Sequence, residues 1–542
     1  MKIKNFLLFA LLVLSFHFSV YPQKAIRPRL VVGIVVDQMR FDYLYRFKQF
    51  YGKDGFNRLM NEGSNFTFAH FNYQITSTGP GHASIYTGTT PFYHGIIGNN
   101  FYDKQLKKSI YCVNDPDTKS VGSNDDIGEM SPKRLLSTTI TDQLKLATNG
   151  ISKVISIAIK DRSAVLPGGH WANGVFWHNE NTGDFVTSSY YTNELPKWVQ
   201  EFNKRKFADL YLSKTWSLSL PENDYKINPP DDSPYEKDVF NEGKTYFPHS
   251  FSNLDADKRY EKLRATPFGN QILVDFAKTA LISEKLGKGN ETDFLAISFS
   301  STDIMAHEYG TFSYETMDTY IKLDAQLADL LNALDQQVGK GNYLLFLTSD
   351  HAALETPGYL FEKRMPVGGL KQKSADELIK SFSAEKYGVD DLIENFSNKQ
   401  IFINRDILKK NNLDIHKVER EIADYIRETF PEITSIFTRD YLDTQVASRD
   451  QKNLMVNGFN PTLSGDISYE LRPGYLPNFM ERGTTHGSSY NYDTHAPLIF
   501  YGWHIPTQTI NTPVYITDIA ATIADLLKIT EPSASIGIPL IK

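Results

Sequence analysis

Four short runs of apolar and β-branched residues each end abruptly in a polar residue. They are Leu30–Val36 before Asp37, Val154–Ile159 before Lys160, Phe294–Phe299 before Ser300, and Tyr343–Leu347 before Thr348. A fifth run, Pro497–Tyr501, lies near the C-terminus. Runs that are apolar on both faces suit buried parallel strands. Helix-like stretches fall between them, clearest at Gly269–Leu286, Met317–Gln337 and Ile516–Leu527. This alternation predicts an α/β fold: a doubly wound, mostly parallel central sheet with helices on both faces. In such sheets a ligand sits outside the carboxyl ends of the strands, where the polar residues fall.

Two stretches break the alternation. Residues of about 165–265 are rich in Trp, Tyr, Asn and Pro, including Pro229-Pro230-Asp231-Asp232, and residues of about 355–475 mix short helical and strand patterns. Both read as insertions that cover or flank a site within one catalytic domain, 24–542. At the N-terminus, Lys2 and Lys4 precede an apolar run from Phe6 to Phe16 and a more polar stretch through Gln23. That order predicts a secretory signal over about 1–23, too short to span a membrane comfortably. The mature chain is then periplasmic or secreted, and no later run is long enough for a membrane span. Losing Lys2 and Lys4 takes the formal charge from -7 to -7 - 2 = -9. With that charge and no basic stripe, a nucleic-acid partner is not indicated. The single cysteine, Cys112, excludes an intramolecular disulfide and a multi-cysteine metal site, and reads as a packed thiol.

The candidate chemistry lies just after the strands. Asp37 ends the first. In Ser300-Ser301-Thr302-Asp303-Ile304-Met305-Ala306-His307, Asp303 and His307 are four apart, so on a helical turn both face one way. Asp350 and His351 follow another strand, and His486 sits in the polar loop Thr484-Thr485-His486-Gly487-Ser488. Each signal is weak alone, because an aspartate at a strand end also caps helices and a loop histidine is usually exposed. Together, three Asp and three His gathered at one sheet edge suit two zinc ions, each with three protein ligands and an open position. Paired ions serve phosphoryl displacement by neutralising the attacking and leaving oxygens. Thr76-Ser77-Thr78-Gly79-Pro80-Gly81-His82 places hydroxyls before a predicted helix, whose N-terminus favours an anionic phosphate. Position alone leaves Thr76, Ser77 and Thr78 open as nucleophile. Lys160 and Arg162, two apart in extended chain, are expected on one side of it, reaching one phosphate.

The ordered set Asp37, Thr78-Gly79-Pro80-Gly81-His82, His94-Gly95-Ile96-Ile97-Gly98-Asn99-Asn100, Asp303-x-x-x-His307, Asp350-His351 and Thr485-His486-Gly487 resembles the alkaline phosphatase superfamily. Within it the chain is similar to the single-domain, phosphate-irrepressible bacterial alkaline phosphatases of the PafA type, over nearly its whole mature length. The resemblance implies Thr78 as nucleophile, through a phosphothreonine, and small-molecule phosphomonoesters as substrates. It implies one zinc on Asp37, Asp350, His351 and the Thr78 oxygen, and a second on Asp303, His307 and His486. Asn99 is implied as a phosphoryl-oxygen ligand, with the adjacent Asn100 as the alternative. Lys160-x-Arg162 marks monoesterases of this type, and the related diesterases generally lack it. The alternative is a zinc phosphodiesterase or nucleotide pyrophosphatase of the same superfamily, whose nucleophile motif is Thr-(Phe/Tyr)-Pro-Asn-His. A sulfatase is disfavoured, because its Cys/Ser-x-Pro-x-Arg motif is missing at the nucleophile position. A remoter alternative, a non-catalytic exported zinc- or glycan-binding protein, rests only on the aromatic-rich stretch and the 30 Tyr.

Overall fold

Leu30–Val36 is a strand buried along its whole length, and its alternate residues enter different cores. Leu30, Val32, Ile34 and Val36 pack into one with Ile272, Phe276, Met317 and Leu327. Val31 and Val35 pack into another with Ile85, Tyr86, Ile519 and Ile523. A strand covered on both faces has no polar side, which is why the run reads as continuous apolar sequence. The computed structural model describes residues 27–541. The expected signal segment lies outside the described residues.

The central sheet has eleven strands. In chain order they are β1 (Leu30–Val36), β2 (Ser64–His70), β3 (Ser120–Val121), β4 (Val154–Ala158), β5 (Gly174–His178), β6 (Phe185–Ser188), β7 (Asp293–Phe299), β8 (Tyr343–Thr348), β9 (His495–Gly502), β10 (Gln508–Ile510) and β11 (Val514–Tyr515). Their spatial order is β10-β2-β9-β8-β1-β7-β4-β5-β6-β3, with β11 also on β2. The helices that frame the site are α1 (Thr78–Thr87), α2 (Asp161–Gly168), α3 (Pro267–Ser283), α4 (Ser301–Tyr309), α5 (Tyr314–Gln337) and α6 (Asp518–Leu527). α3 and α5 cover one face, and α1 and α6 cover the other. The doubly wound architecture is as expected.

Register sets the site. β8, β1, β7, β4 and β5 run parallel, with Val35 opposite Thr348, Val36 opposite Phe299, and Ala158 opposite Ser298. The carboxyl ends are therefore level, and the residues that follow them share one edge. Two expectations are corrected. The run Pro497–Tyr501 is part of β9, which is antiparallel to both β8 and β2. The loop carrying His486 already lies at the carboxyl edge, so the chain enters β9 from that edge and must run back. β4 also stops at Ala158, one residue early, and Lys160 is the residue that leads into α2. Arg162 thus sits in the first turn of a helix, not in extended chain.

The two irregular stretches differ in kind. The first contains β5 and β6, so part of it widens the central sheet, and Trp216, Tyr225 and Phe247 join the main core. The second builds its own antiparallel sheet, in the order Ile393–Ser397, Gln400–Ile403, Ile467–Leu471, Ile433–Thr438. Its separate core includes Ile401, Ile422, Ile426 and Tyr469. Among the described residues no helix is long and apolar enough to cross a membrane.

Candidate active site

All three aspartates of the expected set lie fully or almost fully buried at the carboxyl edge. Asp37 follows β1, Asp303 lies in the first turn of α4 after β7, and Asp350 follows β8. Gln38 joins them: its Nε2 donates to Asp303 Oδ1 at 2.7 Å and its backbone N–H to Asp350 Oδ1 at 3.2 Å. It does so from a left-handed backbone, φ 62°, a costly state for a non-glycine residue that persists where surroundings enforce it. Sequence reasoning missed Gln38, whose only signal is its place directly after Asp37.

The side chains converge. Ligand atoms of Asp37, Asp350 and His351 lie within 4.8 Å of one another, as do those of Asp303, His351 and His486. His307 Nε2 lies 3.2 Å and His486 Nε2 3.7 Å from Asp303 Oδ1. His351 therefore borders both halves, where the expected sets had it in one. Each imidazole places Nδ1 on a carbonyl: His307 on Thr484 (2.7 Å), His486 on Thr76 (2.8 Å) and His351 on Ala352 (3.1 Å). Donation from Nδ1 leaves the Nε2 lone pair facing the chamber, the tautomer a metal ligand needs. Asp37 Oδ1 and His351 Nε2 are buried, 3.5 Å apart, and have no hydrogen-bond partner among the described residues. Buried polar atoms are normally satisfied, so orphaned lone pairs on mixed carboxylate and imidazole donors fit a bound cation.

The electrostatics agree. Burial, reinforced by Asp350 and opposed by Lys160, pushes the Asp37 carboxyl up to about 6. Burial also raises Asp303 and Asp350, but neighbouring positive groups outweigh it. His307 and Lys160 hold Asp303 well below the usual range, and His82 and Lys160 lower Asp350. Burial drives His351 down to about 4 and His486 to about 3. His307 goes the other way: against its burial, Asp303 raises it, while neutral His351 and His486 beside ionised carboxylates are ready ligands. Lys160 Nζ lies 2.8 Å from Asp37 Oδ2 and 2.5 Å from Asp303 Oδ2, so its ammonium bridges carboxylates.

The three hydroxyls of the cluster make different contacts. Thr76 donates to the Ser488 carbonyl at 2.9 Å, a structural use. Ser77 is the residue preceding α1 and its hydroxyl has no hydrogen-bond partner among the described residues. Thr78 opens α1, and its Oγ1 accepts from Arg162 Nη2 at 3.4 Å. Arg162 is aimed by Tyr111, whose hydroxyl accepts from Nη1 at 2.9 Å and itself donates to Asp161. Asn99 Oδ1 accepts from the Gly79 N–H at 2.7 Å, while Asn100 is exposed. That bond leaves the Asn99 Nδ2 to donate elsewhere. A Cβ on Gly81 would come within 2.2 Å of the Asp350 carbonyl oxygen, so only glycine lets α1 press against that loop. His82 ties the two together. Its Nδ1 lies 2.9 Å from the Thr78 carbonyl and 3.3 Å from Asp350 Oδ2, and its Nε2 2.8 Å from Ser298 Oγ. Neither Tyr111 nor the role of His82 was visible in the sequence. Cys112 is buried as expected; burial pushes its thiol up to about 12, and its N–H donates to the Asn99 carbonyl.

Residues 31–495 match a family model described as type I phosphodiesterase / nucleotide pyrophosphatase. The chain is 43% identical to alkaline phosphatase PhoV of Synechococcus elongatus, over 96% of this chain and 93% of that one. It is 40% identical to alkaline phosphatase PafA of Elizabethkingia meningoseptica, over 95% and 94%. The crystal structure of PafA superposes with a TM-score of 0.90, covering 95% of this chain and 99% of that one. A Myroides odoratus protein named as a calcium-transporting ATPase is 40% identical over 97% and 96%. The chain belongs to the type I phosphodiesterase / nucleotide pyrophosphatase family, in the alkaline phosphatase superfamily, beside the PafA-type alkaline phosphatases.

Proposed function

We propose that the protein is an exported, zinc-dependent alkaline phosphatase that hydrolyses phosphomonoesters through a phosphothreonine on Thr78. The observation that carries this reading is the Thr78 hydroxyl, held in the first turn of α1 under Arg162 beside six converging carboxylates and imidazoles. Asp37, Asp350 and His351 would hold one ion and Asp303, His307 and His486 the other, with His351 close to both. Such ions supply Lewis-acid activation of a hydroxyl nucleophile and neutralise charge on a departing oxygen.

The chain's own groups do the rest. Arg162, fixed by Tyr111, receives two phosphoryl oxygens in a forked pair of hydrogen bonds. Asn99 donates its Nδ2 to a third, and the α1 N-terminus adds its dipole. Attack by Thr78 Oγ1, which gives up its proton, in line with the leaving oxygen breaks the ester P–O bond and forms the Thr78–phosphoryl bond, and the leaving oxygen takes up a proton to depart as the alcohol. Water then cleaves that bond: its hydroxyl joins phosphorus, its other proton returns to Thr78 Oγ1, and inorganic phosphate is released. Lys160 keeps its ammonium among the carboxylates, where it adds positive charge for a monoester dianion. We read 24–542 as one catalytic domain with flanking insertions. Export rests on Lys2, Lys4 and the Phe6–Phe16 run.

The family also contains diesterases, so substrate class is the deciding experiment. Purified, zinc-supplied protein is assayed on a phosphomonoester, a phosphodiester and a sulfate ester sharing one leaving group. The monoester is expected to be turned over fastest. A faster diester would replace this reading with the phosphodiesterase one.

A further inference from the structure

A cleft of about 400 Å³ opens beside the nucleophile, between the central sheet edge and the separate four-stranded sheet. Ser77, Asn99 and His486 line one wall, and Asp376, Asn398 and Lys399 line the other. Asp376 lies on the helix Gln372–Tyr387, and Asn398 and Lys399 form the tip of a tight hairpin joining Ile393–Ser397 to Gln400–Ile403. Asn398 and Lys399 both have positive φ, 52° and 57°, the backbone of a two-residue turn whose twist matches its strands. Lysine is a costly choice there, since such turns favour Asn and Gly. The tip is anchored to the active site. Asn398 Nδ2 donates to the Asn100 carbonyl at 2.7 Å, and a Cβ on Gly98 would come within 2.5 Å of that same Nδ2.

The charges in the cleft are uneven. The Lys399 ammonium is held by Glu470 Oε1 at 2.6 Å, and both side chains are largely buried. Asp376 lies half-buried with its Oδ1 on the Gln372 amide at 2.6 Å and, among the described residues, has no ion pair. Burial raises its carboxyl, with Lys380 one turn away opposing and Glu377 adding to the rise. Lys380 lies over the Phe396 ring and is not a lining residue. Among the described residues, the lining groups thus offer amides, a carboxylate with no ion pair, and a lysine already paired to Glu470.

We propose that this cleft receives the leaving alcohol and selects phosphomonoesters of uncharged, hydrogen-bonding alcohols over those bearing a second anionic group. The inference rests on the phosphatase reading above. In an in-line displacement the leaving oxygen departs opposite Thr78, on the side where His486 both joins the ligand set and lines the cleft. An alcohol released there meets the amides of Asn100, Asn398 and Gln372, and a carboxylate on it meets Asp376.

Glycerol 3-phosphate and 3-phosphoglycerate present the same scissile group and differ by one distal carboxylate. kcat/KM is measured for both, and for methyl phosphate, which has nothing to place in the cleft, with wild type and Asp376→Asn, at low and high salt. Wild type is expected to favour glycerol 3-phosphate by about fivefold, the size set by like charges several ångströms apart near a surface. Salt should shrink that gap, and Asp376→Asn should bring it within about twofold, with both proteins equally folded by circular dichroism. A wild-type ratio near one, or a ratio unmoved by Asp376→Asn, overturns the cleft assignment. Failure to hydrolyse methyl phosphate overturns instead the phosphatase reading on which it stands.

Discussion

At the scale of single residues, three adjacent hydroxyls that the sequence could not separate have three different fates. Thr76 is spent on the Ser488 carbonyl, Ser77 precedes the helix, and Thr78 meets Arg162. Thr78→Ala is therefore expected to lower turnover at least about 10³-fold, while Thr78→Ser keeps much of it because the hydroxyl remains. Acid-quenched protein should carry labelled phosphate in wild type and none in Thr78→Ala. An active Thr78→Ala beside an inactive Ser77→Ala would move the nucleophile by one residue. The cationic pair makes a second prediction. Losing one preorganised donor costs roughly 10²–10³ in rate, so Arg162→Ala should lower monoester kcat/KM by that much. The Lys160→Ala, Arg162→Ala double variant should lose at least about 10³, short of additivity. Diester turnover should fall much less in both, with metal content checked in each. Equal losses on both substrate classes would show that the pair is no monoester clamp.

At the scale of elements, the strand ends were legible and the contacts between them were not. Continuous apolar runs revealed β1, β4, β7 and β8 because each is covered on both faces. The direction of β9 was hidden, since an apolar run reads alike both ways and only the position of the His486 loop reverses it. Lys160 and Arg162 reach the site by a helix start, where positions near the N-terminus fan around its opening. Gln38, Tyr111 and His82 act by touching groups far away in sequence, which no local spacing encodes. The second glycine of Thr78-Gly79-Pro80-Gly81-His82 is the clearest such case, because its reason is the Asp350 carbonyl. Gly81→Ala must push α1 off that loop. It should destabilise the fold by about 1–3 kcal/mol, read as a lower denaturant midpoint, and reduce kcat through displaced Asp350 and Thr78. An unchanged midpoint would mean that α1 yields at no cost.

At the scale of the whole molecule, the sheet gathers buried carboxylates whose repulsion is offset by Lys160 together with neighbouring imidazoles, chiefly His307 and His82. A cation held there stabilises the folded state as well as supplying chemistry. Chelation should abolish activity and lower the melting temperature together, and zinc should restore both better than magnesium, because mixed imidazole and carboxylate ligation suits zinc. Full activity after metal analysis confirms complete removal would refute the metal site. The two departures from strand–helix alternation could not be told apart by composition. One widens the sheet through β5 and β6, and the other builds a second sheet whose hairpin tip reaches the site.

The central claim is monoester hydrolysis, and its most direct test is one ratio. With zinc-loaded protein, kcat/KM is compared for 4-nitrophenyl phosphate and its methyl diester, which share a leaving group and differ only in one phosphoryl oxygen. In the proposed clamp, Arg162, Lys160 and Asn99 stabilise the charge on three terminal oxygens, and the methyl group caps one of them, so the monoester should lead by at least about 10³-fold. A diester hydrolysed as fast or faster would contradict the assignment.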